Sequence, residues 1–199
     1  MAHSIEAALA CPLVTSVYVS SEDPEVREVA SQHGAEILER SAELAGDDVP
    51  NVAVVREALG ALAANGLSFE HVVLLQPTSP LRSARHLQAC LTAYLGSSAA
   101  STVSVCPAEH HPATMLTIRE GLAAPYGGAD TLDSRRRDLL PVFRQNGAIY
   151  GLSVEAFLRE LRFIVAPCLP YIMGPEESVD VDEPIDLSLA ELLLRSARD

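Results

Sequence analysis

Lysine is missing altogether, since every one of the 14 basic residues is arginine. A lysine-based phosphate loop and a Schiff-base lysine are therefore excluded within this chain. Positive charge as a whole is scarce, because 27 acidic residues set the net charge at −13. Phosphate-backbone binding needs a basic face, so broad contact with nucleic acid is excluded as well. A small phosphorylated ligand stays open wherever arginines are concentrated. The four cysteines, Cys11, Cys90, Cys106 and Cys168, form no Cys-x-x-Cys pair, which argues against zinc and for free buried thiols of a cytoplasmic protein. No apolar run is long enough to cross a bilayer, and the opening HSIEAALA has neither the basic region nor the cleavage site of a secretory signal. The chain is expected to be soluble, with no membrane partner. With 199 residues, 48% of them hydrophobic, it can bury one substantial core, and one domain is expected.

What is present alternates. Residues 4–10 read as the end of a helix and 14–20, VTSVYVS, as a β-branched strand. SEDPEV supplies capping residues and Pro24 for a helix that stops near Gly34, and AEIL follows as a short strand. The spacing predicts a helix over 50–66, a buried strand at 71–76, a helix through LRSARHLQACLTAYL and a strand at 101–106. Such alternation predicts an α/β fold, Rossmann-like, with a mostly parallel sheet covered on both faces. Ligands then sit at the carboxyl ends of the strands, near the turn 77–80 and the loop 107–112. After residue 107 the rhythm changes, and about 107–150 is expected to be an inserted lid or dimerisation region. The leucines at 187, 189, 192, 193 and 194 are expected to pack a last helix on the sheet.

Three phrases carry candidate chemistry. In SVDVDEP, Asp180 and Asp182 are two positions apart, so in an extended segment both carboxylates face one point. That suits Mg²⁺, which takes one or two carboxylates and completes its shell with water and phosphates. The same acids could instead serve the positive end of the helix entered at Pro184. QPTSPLR, 76–82, holds Gln76, Thr78 and Ser79 in a stiff loop suited to reading a base or ribose, or else to capping the next helix. FRQNGAIY, 143–150, offers Arg144 and Asn146 at a strand start, and with Arg135, Arg136 and Arg137 it forms the only concentrated positive charge. A guanidinium matches carboxylate and phosphate well. The adjacent His110 and His111 face opposite ways in an extended loop, so at most one would face the site.

Taken in order, HSIEAAL, VSSEDPEVREVASQHGAE, RSAELAGDD, LLQPTSPLR, VSVCPAEHHP, FRQNGAIY, APCLPYIM and SVDVDEPIDL make the chain resemble the N-acylneuraminate cytidylyltransferases, the CMP-sialic acid synthetases. The resemblance implies transfer of CMP from CTP to a nine-carbon α-keto acid sugar, a nonulosonic acid, with release of pyrophosphate. It also implies a Mg²⁺ cofactor, a homodimer, and roles for particular residues. Asp180 and Asp182 match the metal-binding aspartates. Gln76 and Ser79 lie in the phrase nearest nucleotide and sugar, and Arg40 lies in the segment approaching the nucleotide. Arg137 and Arg144 match arginines that engage the sugar, and Asn146 stands beside Arg144 among the expected substrate contacts.

The sequence also departs from this family. Its members begin with a strand and a phosphate-binding loop containing Arg, Gly, Ser and Lys, about one βα unit of roughly 30 residues, which this chain lacks. Either the natural start lies upstream, or strong CTP binding has been lost and the chain is a weakly active or non-catalytic dimeric homologue. Asn51, an expected substrate contact, and Thr114 stand where members often have a base-contacting serine and a sugar-facing lysine. Specificity is therefore expected to lean towards a legionaminic- or pseudaminic-type acid. An Asp-Val-Asp glycosyltransferase is a third reading, disfavoured because QPTSPLR and RQNGAIY have no counterpart there.

Overall fold

The computed structural model describes residues 1–46, 48–127 and 139–196. In chain order the elements are α1 (Ala2–Leu9), β1 (Tyr18–Ser21), α2 (Pro24–Gln32), β2 (Glu36–Glu39), α3 (Asn51–Ala64), β3 (His71–Leu74), α4 (Ala84–Leu95), β4 (Ser101–Pro107), β5 (Leu116–Arg119), β6 (Leu122–Pro125), β7 (Phe143–Ser153), α5 (Val154–Glu160), β8 (Cys168–Ile172) and α6 (Pro184–Ser196). Helix starts are fixed by short polar side chains. Asp23 accepts from the backbone N–H of Glu25 and Val26, with Pro24 in the first turn of α2. Ser83 and His86 form a reciprocal capping box on α4.

The central sheet runs β3-β7-β4-β8, while β1 and β2 form a separate parallel pair. Both β3 and β4 are antiparallel to β7, and β4 is parallel to β8. Three of these strands therefore point one way, and β7 is reversed between two of them. The α/β expectation holds, with a mixed sheet whose one reversed strand was not foreseen. Helix α1 lies against α4, and Ala8, Leu87, Cys90, Leu91, Ala148 and Ile149 share one buried cluster. On the other side, Leu152 and Phe157 pack with Val165. No helix of the described residues is long and apolar enough to cross a membrane.

Two sequence expectations need correction. The strand β7 begins at Phe143 and sits inside the central sheet, so the inserted region ends before residue 143 and does not reach 150. Between β4 and β7 the chain makes a 3₁₀ turn at Pro112–Thr114 and a detached β5-β6 hairpin. The leucine helix is the second correction. Within α6 only Ala190 is buried, and Leu187, Leu189 and Leu192 are exposed, so those leucines do not pack on the sheet.

Candidate active site

The site grows out of an irregularity in β7. Val103 faces Tyr150 and Val105 faces Gln145, so the single residue Ser104 opposes the four residues 146–149. A bulge of this kind bends a strand and re-aims its side chains. Here Ser104 closes it: its hydroxyl donates to Asn146 Oδ1 at 2.6 Å and accepts from the Ile149 N–H at 2.7 Å. Removing that hydroxyl leaves two buried groups without their partner, so Ser104→Ala is expected to lower stability by about 2 kcal/mol, measured by urea unfolding.

The phrase QPTSPLR holds the same bulge from outside. Ser79 donates to the Asn146 carbonyl at 3.1 Å, and Arg82 Nη1 donates to the Ala148 carbonyl at 2.6 Å. The two most distinctive phrases of the sequence are thus one structural unit. Within it Gly147 takes φ of 74°, a left-handed conformation that disfavours any side chain. A Cβ there would lie 2.5 Å from Gln76 Oε1, 3.0 Å from Ser79 Oγ and 3.2 Å from Asp180 Oδ2. Gln76 and Asp180, 104 positions apart by number, therefore converge on one bare patch of backbone.

Asp180 is delivered by a segment pinned three times. Val181 N–H donates to the Thr78 carbonyl at 2.8 Å, Asn146 Nδ2 donates to Ser178 Oγ at 2.8 Å, and Arg144 Nη2 donates to the Ser178 carbonyl at 3.3 Å. Asp180 Oδ1 is buried and has no hydrogen-bond partner. A buried carboxylate oxygen left bare is costly and marks a place built for a cation or donor. The helix-end alternative is answered by another residue: Asp186 accepts from the N–H of Asp182 and Glu183 at the start of α6. Asp182 itself is exposed. Among the described residues no third His, Cys, Asp or Glu completes a metal cluster with these two.

Beside them opens a pocket of about 500 Å³ lined by Asn51, Gln76, Gln145, Tyr150 and Arg162, with Phe163 as an apolar wall. Burial pushes the Tyr150 phenol up, and the neighbouring charge of Asp180 adds to the shift. Arg144 is gripped by Glu109, with Nε to Oε2 at 3.1 Å and Nη2 to Oε1 at 3.0 Å. The guanidinium holds the Glu109 carboxyl below the usual range, and Glu109 in turn raises Arg144. For Glu109 the sign follows directly: the pair contributes above the ordinary carboxylate pKa and is lost as pH falls through the lowered value. Acid titration should release Arg144 only below that ordinary pKa, seen as a chemical-shift change at its Nε.

The expected site residues thus divide. Gln76, Asn51, Arg144 and Asp180 stand at the pocket or beside it, and Asp182 is two residues on from Asp180. Ser79 and Asn146 were expected to touch substrate, but both are 0% exposed with their polar atoms engaged by protein, so they position the bulge and the Asp180 segment. Arg40 lines the neighbouring cleft, where it is held by the Ser20 carbonyl at 2.6 Å and by Glu22. Arg137, with Arg135 and Arg136, lies outside the described residues. His111 is committed to its own loop, accepting from Ala113 N–H and reaching the Leu140 carbonyl. Thr114 donates to the His111 carbonyl. Glu109, Gln145, Tyr150 and Arg162 were not singled out from the sequence; the phrase RQNGAIY contained two of them, but strand alternation alone does not tell which face the bulge presents.

The chain is similar to several known proteins. The sequence profile of the family described as cytidylyltransferase matches residues 1–165. An N-acylneuraminate cytidylyltransferase of Streptococcus agalactiae serotype V is 32% identical over 90% of this chain, which spans 43% of that relative's length. A CMP-N,N'-diacetyllegionaminic acid synthase of Legionella pneumophila is 29% identical over 98% of this chain and 84% of its own. Among solved structures, CMP:2-keto-3-deoxy-manno-octonic acid synthetase complexed with CTP superposes with a TM-score of 0.69 at 12% identity, covering 98% of this chain and 87% of that one; this likeness is of fold. By the match of the family profile over residues 1–165, the chain belongs to the cytidylyltransferase family.

Proposed function

We propose that this site transfers CMP from CTP to a nonulosonic acid and releases pyrophosphate. The observation that carries it is the convergence of Gln76 and Asp180 Oδ2 on the side-chain-free backbone of Gly147, with the other oxygen of that carboxylate, Oδ1, buried and bare, beside an open pocket. In the reaction the anomeric hydroxyl oxygen attacks the α-phosphorus, the bond from that phosphorus to the bridging oxygen breaks, and pyrophosphate leaves with the electron pair. The hydroxyl proton goes to a base that we do not assign. Gln76 would orient substrate by its amide, Tyr150 and Phe163 would flank it, and Arg144 would engage the acid's carboxylate. Asp180 and Asp182 fit Mg²⁺, a hard cation that favours carboxylate oxygens, and when bound it would supply charge neutralisation at the phosphates.

A homodimer is part of this proposal. The β5-β6 hairpin exposes Ile118 and Leu122, each 76% exposed, with Tyr126 beside them, an apolar surface that a partner subunit would cover. A cytoplasmic setting fits the free thiols. Glu109 holds Arg144 in place by two hydrogen bonds, so Glu109→Gln should raise KM for the acid sugar about ten-fold, with kcat little changed. As a largely exposed pair it should move stability by less than about 1 kcal/mol. The proposal as a whole is tested by pyrophosphate release from CTP with Mg²⁺ and a panel of nonulosonic acids. Release that requires one of these sugars supports it; turnover of CTP with none of them, or sugar transfer from a nucleotide-sugar donor, overturns it.

A further inference from the structure

The segment that delivers Asp180 is also tied to helix α4. His86 stands in the first turn of α4 and is 6% exposed. Its Nδ1 accepts from the Ser83 N–H at 3.3 Å, closing the capping box, so the ring hydrogen sits on Nε2. That N–H donates to Glu177 Oε1 at 3.1 Å, across 91 positions of sequence. Glu177 belongs to the 3₁₀ turn Glu176–Ser178, and its Oε2 accepts from the Gly174 N–H at 3.0 Å. Each side chain thus uses one polar atom for its own turn and the other for its partner. Capping α4 needs only Nδ1, and closing the 174–177 turn needs only Oε2. The bond between Nε2 and Oε1 serves neither element alone and joins the two.

Asp180 lies three positions after Glu177 and one before Val181, whose N–H donates to the Thr78 carbonyl at 2.8 Å. Thr78 and His86 belong to one stretch, the QPTSPLR turn and the helix it leads into. The same stretch therefore grips the chain on both sides of Asp180. Such a grip opposes a definite tendency. Asp180 Oδ1 is buried without a partner, and a carboxylate so placed gains by swinging out to water. The contacts to Ser178 restrain it from the β7 side, through Asn146 and Arg144. The His86–Glu177 bond restrains it from the helix side, through a buried ring.

We infer that His86 and Glu177 are positioning residues for Asp180, a brace that keeps its carboxylate turned towards Gly147 and able to hold a divalent cation. The inference rests on the reading of Asp180 as the anionic group of the transfer site. Neither residue lines the pocket; both act through the backbone that runs from 177 to 181. A group held in place before the substrate arrives needs no reorganisation during the reaction, and a small misplacement from outside the site is enough to slow it. Glu177→Ala removes the brace at its half-exposed end, where the side chain is 41% exposed, and leaves the capping box of α4 whole. His86→Gln is the conservative change, because glutamine in a capping box accepts through its carbonyl oxygen and still offers an N–H to Glu177.

The test uses the full chain and these two variants, with amide hydrogen exchange at Val181 and Ile149, Mn²⁺ binding by electron paramagnetic resonance, and pyrophosphate release. In Glu177→Ala the expected result is exchange at Val181 about ten-fold faster, with Ile149, whose N–H is held by Ser104, unchanged. Mn²⁺ affinity should fall about ten-fold, and kcat about ten-fold with KM for both substrates little changed. His86→Gln should match the unaltered chain in all four. Four results would overturn the inference: Val181 exchange unchanged in Glu177→Ala; Ile149 exchange rising with it, which means a general loss of stability; Val181 loosened with Mn²⁺ affinity unchanged, which means a tie of the fold alone; or no Mn²⁺ binding by the unaltered chain. If the unaltered chain releases no pyrophosphate, the reading of the reaction fails by itself, and exchange and Mn²⁺ affinity still decide whether the brace exists.

Discussion

Gly147→Ala is expected to cut turnover about 100-fold or more and to lower stability by about 2 kcal/mol. Two effects add. The backbone at φ of 74° is strained for any side chain, and the new methyl would meet the Gln76 carboxamide oxygen at 2.5 Å. Gln76 or Asp180 must then move, and Asp180 is held on its segment by Thr78, Asn146 and Arg144. Gly121 separates the two effects, since it has φ of 78° with nothing within 4 Å of the added Cβ. Gly121→Ala should therefore show the backbone penalty, about 1–2 kcal/mol, with turnover unchanged. Thermal unfolding and pyrophosphate release on both variants make the comparison.

Asp180→Asn has the second large effect, and its two readouts move in opposite directions. Turnover should fall about 1,000-fold, because the site loses the anionic oxygen that suits a hard cation. Stability should stay level or rise by about 1 kcal/mol, because a half-buried charge whose Oδ1 is buried and bare is replaced by a neutral amide. A residue kept only for the fold would lose stability when changed. Asp182→Asn, at an exposed position, should chiefly raise the Mg²⁺ concentration needed for half-maximal rate.

The order of elements was legible from hydrophobic periodicity and from capping residues such as Asp23 and Pro24, because these act within one turn of chain. The candidate site was legible as phrases: QPTSPLR, RQNGAIY and SVDVD all lie at it. Their division of labour was not. Ser79 and Asn146 look like substrate-reading residues in sequence, yet the bulge opposite Ser104 turns them inward, and a bulge depends on a partner strand about 40 positions away. The reversal of β7 was hidden for a similar reason, since direction is set by pairing across the sheet and leaves no local pattern. The leucines of α6 misled because periodicity shows that an apolar face exists and does not show what covers it.

The central claim is that Gly147, Gln76 and Asp180 frame a nucleotidyl-transfer site, and one assay tests it most directly: pyrophosphate release with CTP, Mg²⁺ and a nonulosonic acid, on the chain and on its Asp180→Asn variant. The expected result is release that needs both substrates and is lost in the variant while its fold is retained. Release that proceeds without the sugar, or that survives Asp180→Asn undiminished, would contradict it.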